Sequence, residues 1–189
     1  GLFTSPHIEQ FEERMRVSGH MPHPDQLTRL VSKLANVLHE SEMESDDRIP
    51  TFFEITTLLA WMLFDEEKVE VAVLETGLGG RLDCTNVCRP LVNIITSIGL
   101  DHTHILGDTL SLIAAEKAGI LKPNVPVVIG QLPDVAELVV LARARELGCR
   151  QFICGRDFAW HVDHNDDPLS GHRRSQKIFV LTPTGNFDN

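Results

Sequence analysis

The chain has 189 residues, 42% of them hydrophobic, and a formal net charge of −10. This length fits one domain and is enough to bury a substantial core. The acidic balance argues against a nucleic-acid partner, because phosphate binding needs clustered Lys and Arg. No apolar run approaches the roughly 20 residues of a membrane-spanning helix, so no membrane partner is expected and no protein partner is implied. Four cysteines outside any Cys-rich framework indicate reduced thiols and a cytoplasmic location.

The first part of the chain predicts a short strand and two helices. Residues 1–3 fit the end of a strand, and a Thr-Ser-Pro-His loop follows it. Asp25 can cap a helix through about Ser41, because apolar residues recur on one face. These residues are Leu27, Leu30, Val31, Leu34, Val37 and Leu38. The acidic run 40–48 fits a solvated loop. Thr51 and Glu54 have capping-box spacing before an apolar segment, which predicts a buried helix.

The rest of the chain alternates apolar strands with helices. The predicted strands are 69–75, 91–99, 125–130 and 149–155, and the predicted helices are 108–118 and 134–147. Strands rich in β-branched residues and without a polar face are typical of a parallel sheet that is buried on both sides. The sequence therefore predicts an α/β fold with a mostly parallel sheet and helices on both faces. After Gly155, a polar stretch fits a loop, and the residues KIFVLTPTG fit an edge strand and a turn.

Ligands of open parallel sheets bind beyond the carboxyl ends of the strands, and three such ends stand out. They carry the sequences TSPH, ETGLGGRLDCTN and GLDHTHILGDT. Glu75 either binds a cation or pairs with Arg81 or Lys117, since a carboxylate is costly to bury alone. His102 either forms an H-x-H metal pair with His104 or shares a magnesium or zinc site with Glu75.

Several familiar templates are absent from the sequence. The glycines of ETGLGGRL do not continue as a dinucleotide fingerprint, because Leu82 occupies the last glycine position. There is no G-x-S-x-G nucleophile elbow and no G-x-x-x-x-G-K-[ST] phosphate loop.

Five blocks nevertheless occur in a family-specific order and spacing. They are TSPHIEQFEER, TFFEITTLLAWMLF, ETGLGGRLDCTN, ITSIGLDHT and LGDTLSLIAAEKAGILKP. Over most of residues 1–130 the chain resembles the folylpolyglutamate synthase/dihydrofolate synthase family, relatives of the Mur ligases. The resemblance implies an ATP-dependent amide ligase that joins L-glutamate to a folate or dihydropteroate carboxylate through an acyl phosphate. It also implies Mg²⁺ as cofactor and ATP as co-substrate.

The resemblance assigns roles to particular residues. Ser5, Glu75 and His102 match the magnesium ligands of the family, and Ser5 would thereby face the nucleotide. Lys117 matches a lysine that is carbamylated in the superfamily, and a carbamate can help to hold a second magnesium ion.

The same resemblance places the pterin end of the substrate against Thr51, Phe53, Asp83 and Cys84. An aromatic ring for stacking and a carboxylate for amino-pyrimidine N–H groups suit a pterin. Cys84 stands where the family usually has Ala, which is a small change.

The resemblance also bears on domain organisation. Residues 1–155 match part of a Mur ligase-like central ATPase domain without its P-loop, and residues 156–189 form the polar loop and edge strand. We therefore expect a piece truncated at both ends that has no ligase activity alone.

Two other functions fit some of the same residues. A non-catalytic pterin-binding module would keep the folate pocket without ATP chemistry. A Mur-type ligase for a cell-wall precursor shares the Ser, Glu, His and Lys positions, although the FFE and GGRLDCTN blocks favour folate. Whether the enzyme makes dihydrofolate, extends polyglutamate tails or does both stays open.

Overall fold

A computed structural model describes residues 1–42, 50–163, 177–182 and 185–188. The chain divides into two compact units, Gly1–Cys88 and Arg89–Asn189. The domain boundary inferred at residue 155 stays a prediction.

The first unit contains a small sheet and two long helices. In chain order its elements are β1 (Leu2–Phe3), a first 3₁₀ helix (Phe11–Arg14), β2 (Met15–Arg16), α1 (Pro24–Glu42), α2 (Phe52–Glu66), β3 (Val73–Leu74) and a second 3₁₀ helix (Cys84–Val87). The strand order is β2-β1-β3, with β1 parallel to β3 and antiparallel to β2. Because parallel strands end at the same edge, the residues that follow β1 and β3 are neighbours.

The core of the first unit is built from one face of each long helix. Leu27, Leu30 and Leu34 of α1 and Leu59 and Leu63 of α2 are at most 7% exposed, and they belong to one apolar cluster. Their spacing of three or four residues places each set on one side of its helix. The cluster also contains Phe3 of β1.

The start of α2 is as the sequence predicts, but its burial is not. The Thr51 hydroxyl accepts the Glu54 N–H at 3.3 Å, and the Glu54 carboxylate accepts the Thr51 N–H at 2.7 Å. The predicted capping box is therefore confirmed. The prediction of a helix buried all round is wrong, because Phe52 is 60% and Leu58 is 42% exposed.

The start of α1 differs from its prediction. The helix begins at Pro24, whose fixed φ suits the first helical position. Asp25 lies inside the first turn and is not the cap, and its N–H donates to His23 Nδ1 at 3.3 Å. Val31 and Val37 are exposed, since the apolar stripe is wider than the face that packs. Residues 40–42 of the predicted acidic loop belong to α1, so that part of the loop prediction is wrong, and residues 43–48 lie outside the described residues.

The second unit begins with alternating strands and helices. Its elements are β4 (Asn93–Ile95), α3 (Thr103–Leu106), α4 (Leu110–Ala118), β5 (Val127–Ile129), α5 (Asp134–Glu146), β6 (Gln151–Ile153), β7 (Ala159–Asp163), β8 (Lys177–Thr182) and β9 (Gly185–Asp188). Strands β4, β5 and β6 form a fully parallel sheet in that order. All three are shorter than the apolar runs that predict them.

Burial of these strands is less complete than expected. Ile94 of β4 is 55% exposed and Val73 of β3 is 59% exposed, although neighbouring Ile95 is buried. The prediction that both faces of the strands are buried is therefore wrong for β3 and β4. Successive side chains point to opposite faces of a strand, and in each of these two strands one face is exposed.

The C-terminal strands correct a second prediction. β8 pairs with β7 on one side and with β9 on the other, and both pairings are antiparallel. The predicted edge strand is therefore the central strand of a three-stranded sheet. Residues 161–163, predicted as loop, belong to β7, because pairing with β8 overrides their polar composition. The rest of that polar stretch, 164–176, lies outside the described residues.

The α/β class is confirmed, with parallel pairing between β1 and β3 and throughout β4-β5-β6. In the described parts of the chain, no helix has both the length and the apolar character that crossing a bilayer requires.

Candidate functional site

The residues that follow β1 and β3 form the first part of the candidate site. Phe3 is paired in register with Leu74, and the Glu75 N–H donates to the Phe3 carbonyl at 2.9 Å. The Ser5 N–H then donates to Glu75 Oε2 at 2.8 Å. The Glu75 side chain thus reaches the loop after β1, so the two predicted strand ends do share one edge.

Ser5 and Glu75 offer oxygen atoms of the kind that a hard cation prefers. Ser5 is half-buried and Glu75 is exposed. Oε2 of Glu75 is bonded to the Ser5 amide, while Oε1 accepts no hydrogen bond within the described residues. A free carboxylate oxygen and the hydroxyl of the residue that binds the other carboxylate oxygen through its N–H are ligand types that fit Mg²⁺, which keeps several waters or phosphate oxygens as its other ligands.

A metal site made of protein side chains alone is not seen. Across the described ranges, no three His, Cys, Asp or Glu side chains gather so that they could hold a metal ion. All four cysteines are free thiols. An ion at Ser5 and Glu75 would therefore need further ligands besides these two residues.

The glycine loop, residues 75–88, is organised by one carboxylate. Asp83 Oδ2 accepts the N–H groups of Gly77 and Leu78 at 3.1 and 2.9 Å. Asp83 Oδ1 accepts the N–H and the hydroxyl of Thr85 at 2.9 and 2.6 Å. Both oxygens of Asp83 are therefore directed at the loop itself, and its contact with a ligand stays a prediction.

Close packing explains one glycine of this loop. A Cβ on Gly77 would lie 2.4 Å from Phe53 Cζ, well inside contact distance. The Phe53 ring also lies 5.9 Å from the Phe3 ring, measured between centroids. Phe53 therefore joins β1, α2 and the glycine loop, and it is half-buried.

A pocket of about 320 Å³ opens beside α2 and the second 3₁₀ helix. Its lining residues are Pro50, Glu54, Thr57, Leu58, Trp61, Cys84 and Val87. Cys84 Sγ lies 3.1 Å from the Thr57 hydroxyl oxygen. Burial raises the pKa of the Cys84 thiol, so this group is a neutral part of the pocket wall at pH 7. A volume of this size suits a small ligand or one end of a larger ligand.

The histidine loop, residues 99–107, lies in the second unit. His102 has a left-handed backbone with φ of 48°, and its N–H donates to Asp101 Oδ1 at 2.8 Å. The ring centroids of His102 and His104 are 6.4 Å apart, and both side chains are exposed. The imidazoles are accessible to a ligand, and the choice between an H-x-H pair and a single His102 ligand stays open.

Lys117 occupies the last turn of α4 in the same unit. This helix is capped by Thr109, whose hydroxyl accepts the Leu112 N–H at 3.3 Å. Lys117 is half-buried. Ser5 and Glu75 belong to one unit and His102 and Lys117 to the other, so the joint site of these four residues stays a prediction.

Sequence reasoning missed two features of the first unit. Thr57 and Trp61 line the pocket and lie one and two turns after Phe53 on α2. This spacing of four residues could have predicted them, because it places them on the same helix face as Phe53. Arg14 is buried beside His7 of the Ser-Pro-His loop, and no periodic pattern marks it.

Two named relatives align with nearly the whole chain, whereas no protein-family model matches it. The chain is 39% identical over 187 residues to the human protein "Folylpolyglutamate synthase, mitochondrial". The alignment covers 96% of this chain and 32% of the human protein. The chain is 40% identical over 190 residues to the Haemophilus influenzae "Dihydrofolate synthase/folylpolyglutamate synthase", covering 98% and 41%.

Solved structures agree with these relatives. The structure "FPGS-AMPPCP-folate complex" superimposes with a TM-score of 0.90 at 34% identity, covering 98% of this chain and 44% of that chain. The chain thus spans less than half the length of each of these proteins. Because sequence identity near 40% and a fold match at this TM-score agree over almost every residue, the chain belongs to the folylpolyglutamate synthase/dihydrofolate synthase family.

Proposed function

We propose that the protein is an ATP-dependent amide ligase that adds L-glutamate to the carboxylate of a folate or of dihydropteroate. The observation that carries this proposal is the Ser5–Glu75 hydrogen bond at the ends of two parallel strands. It joins the Ser5 backbone to the Glu75 carboxylate at the carboxyl ends of two parallel strands, which is the edge where open parallel sheets bind their ligands. The names of the relatives and the AMPPCP and folate of the solved complex support the choice of substrates.

The chemistry requires two steps. A carboxylate oxygen of the pteroyl acid attacks the γ-phosphorus of ATP, forming an acyl phosphate and releasing ADP. The amine of L-glutamate then attacks the acyl carbon, and the tetrahedral intermediate expels phosphate as the amine loses a proton. Positioning and charge stabilisation supply most of the catalysis in phosphoryl transfer.

Ser5, Glu75 and His102 are proposed to hold Mg²⁺, and Ser5 to meet the nucleotide through it. The ion would supply neutralisation of phosphate charge and alignment of the transferred group. Glu75 fits this role because its Oε1 atom is free within the described residues. Lys117 is proposed to act as a carbamate near a second ion.

Thr51, Phe53, Asp83 and Cys84 are proposed to bind the pterin end. Support comes from the pocket beside α2, since Cys84 lines it and the Cys84 thiol lies 3.9 Å from the Phe53 carbonyl oxygen. The bonds that Asp83 makes to its own loop indicate that it also shapes this wall. Residues 1–189 alone are proposed to lack ligase activity.

The cellular location is also a proposal. A cytoplasmic enzyme is the proposal, although the human relative is named mitochondrial. No nucleic-acid, membrane or protein partner is proposed.

The test uses the naturally encoded protein with Mg-ATP, L-glutamate and either dihydropteroate or tetrahydrofolate. Glutamate-dependent ADP release with a product one glutamate longer is expected, and the preferred acid shows which synthase activity is present. Pteroyl binding without ATP binding would instead favour a binding module. Turnover of a UDP-linked cell-wall precursor alone would favour a Mur-type ligase.

Glu75→Gln is expected to lower kcat at least about 100-fold, because a neutral amide is a poor Mg²⁺ ligand. Glu70→Gln, which alters an exposed carboxylate five residues earlier, provides the matched control. Equal activity of the two variants would contradict the role of Glu75.

A further inference from the structure

Arg14 is a buried cation in the segment that follows β1, and no carboxylate of the described residues pairs with it. It ends the first 3₁₀ helix and is 8% exposed. Within the part of the chain that the structure describes, no carboxylate oxygen lies within salt-bridge distance of its guanidinium. Charged residues are almost never buried this far without a partner, since desolvation of a charge is costly. Among the described residues, Arg14 therefore has no anion as a partner.

The Arg14 side chain is held in one orientation by rings. Its Nε–H donates to His7 Nδ1 at 2.8 Å. Its guanidinium carbon lies 5.4 Å from the centroid of the Phe52 ring, which is a cation–π contact. His7 and Phe52 each contact Phe11 edge-on, with centroids 6.1 and 5.9 Å apart. These three residues, His7, Phe11 and Phe52, form an aromatic frame around the guanidinium.

The frame leaves the outer end of the guanidinium unused. The two terminal amino groups of Arg14 make no hydrogen bond within the described residues, and neither is sealed from solvent. Their N–H groups lie in one plane, which matches two oxygens of a carboxylate or phosphoryl group. A fixed guanidinium of this kind binds an oxyanion at low entropic cost.

The position of Arg14 connects two segments of the candidate site. His7 belongs to the same loop as Ser5, and Phe52 lies between Thr51 and Phe53. The Arg14 carbonyl also accepts the Thr4 N–H at 2.9 Å, which ties it to the start of that loop. All of these residues lie in the first unit.

We propose that Arg14 binds an oxyanion of the substrate, either a carboxylate of the pteroyl acid or a phosphoryl group of the nucleotide. The identity of the ligand rests on the proposed function, whereas the binding of an oxyanion does not. The two terminal amino groups of Arg14 bind the oxyanion, and the aromatic frame orients them.

The kinetic test compares Arg14→Gln and Arg14→Lys with Arg16→Gln in the naturally encoded protein. Arg16 is a half-buried arginine of β2, so its variant makes the same change in charge. If the oxyanion is a carboxylate, Arg14→Gln raises KM for the pteroyl acid about ten- to a hundredfold, and Arg14→Lys raises it less. If it is a phosphoryl group, KM for ATP rises instead. If the KM values of Arg14→Gln for the pteroyl acid and for ATP both equal those of Arg16→Gln, the proposal is overturned.

A binding test without turnover separates this inference from the proposed function. Sodium benzoate and inorganic phosphate serve as probes, and the melting temperature is measured with increasing anion. Stabilisation of the unmodified protein and of Arg16→Gln, with none for Arg14→Gln, supports the proposal even if no pteroyl acid is a substrate. An equal response of Arg14→Gln to both anions overturns it. A purely structural role would instead lower the anion-free melting temperature of Arg14→Gln without changing the response to anions.

Discussion

The glycine loop after β3 and the histidine loop after β4 both follow strand ends that the sequence singles out, but they are built differently. In the glycine loop, Asp83 accepts four hydrogen bonds from three residues. In the histidine loop, Asp101 accepts one backbone N–H, and His102 and His104 are exposed. The glycine loop has a defined shape without a ligand, whereas the histidine loop presents its polar groups outward.

This difference has a local cause. Asp83 lies six residues after Gly77 and two before Thr85, so a short tight loop brings every donor within reach of one side chain. Asp101 has its nearest partner in the next residue. We infer that the glycine loop keeps its conformation through its own hydrogen bonds, whereas fewer internal contacts fix the side chains of the histidine loop.

The largest expected effect comes from Asp83→Asn. The amide keeps one oxygen but directs its NH₂ group at N–H donors that the carboxylate now satisfies. We expect a loss of about 3 kcal/mol in the free energy of unfolding, because charged hydrogen bonds are lost and partly buried donors are left unpaired. Urea unfolding measures the change.

Asp101→Asn is the matched control for this variant. The Asn oxygen can still accept the single His102 N–H at this exposed site, and we expect a change below about 1 kcal/mol. Similar losses for the two variants would remove the distinction between the loops.

Gly77→Ala tests the packing of the glycine loop. The new methyl group would meet the Phe53 ring, so we expect a loss of about 2 kcal/mol from overpacking. Gly99→Ala is the control, since Gly99 begins the histidine loop, has no heavy atom within 4 Å of the added Cβ and lacks a positive φ. Thermal unfolding of both variants, and rescue of Gly77→Ala by Phe53→Leu, would confirm the steric cause. A Gly99→Ala loss as large as that of Gly77→Ala would contradict it.

Sequence reasoning succeeded where short spacing along the chain, or the general rule that parallel strands end at one edge, determines the contact. The capping box of Thr51 and Glu54 and the shared edge of Ser5 and Glu75 follow from spacing and from parallel strand order. The central position of β8 and the exposure of Ile94 depend on which elements pair or pack at a distance, and spacing along the chain does not encode that. Arg14 was missed for a related reason, because its burial arises from rings of two separate segments.

The smallest predicted effect concerns Glu13, which organises the loop after β1 as Asp83 organises the glycine loop. Its carboxylate accepts the N–H groups of Ile8, Gln10 and Glu9, and these bonds lower the pKa of Glu13 from 4.5 to about 2. The folded-state pKa is depressed, so this contribution to stability is complete above pH 4.5 and is lost as the pH falls toward 2.

The melting temperature of the unmodified protein should therefore fall more steeply between pH 4.5 and pH 2 than that of Glu13→Gln. The Glu66 carboxylate, whose pKa the Arg29 hydrogen bond lowers to about 2, titrates in the same window in both proteins, so the slope shrinks without vanishing. Glu70→Gln should keep the slope of the unmodified protein. If Glu13→Gln keeps it as well, the three backbone hydrogen bonds do not favour the ionised carboxylate in solution, and the analogy between Glu13 and Asp83 fails.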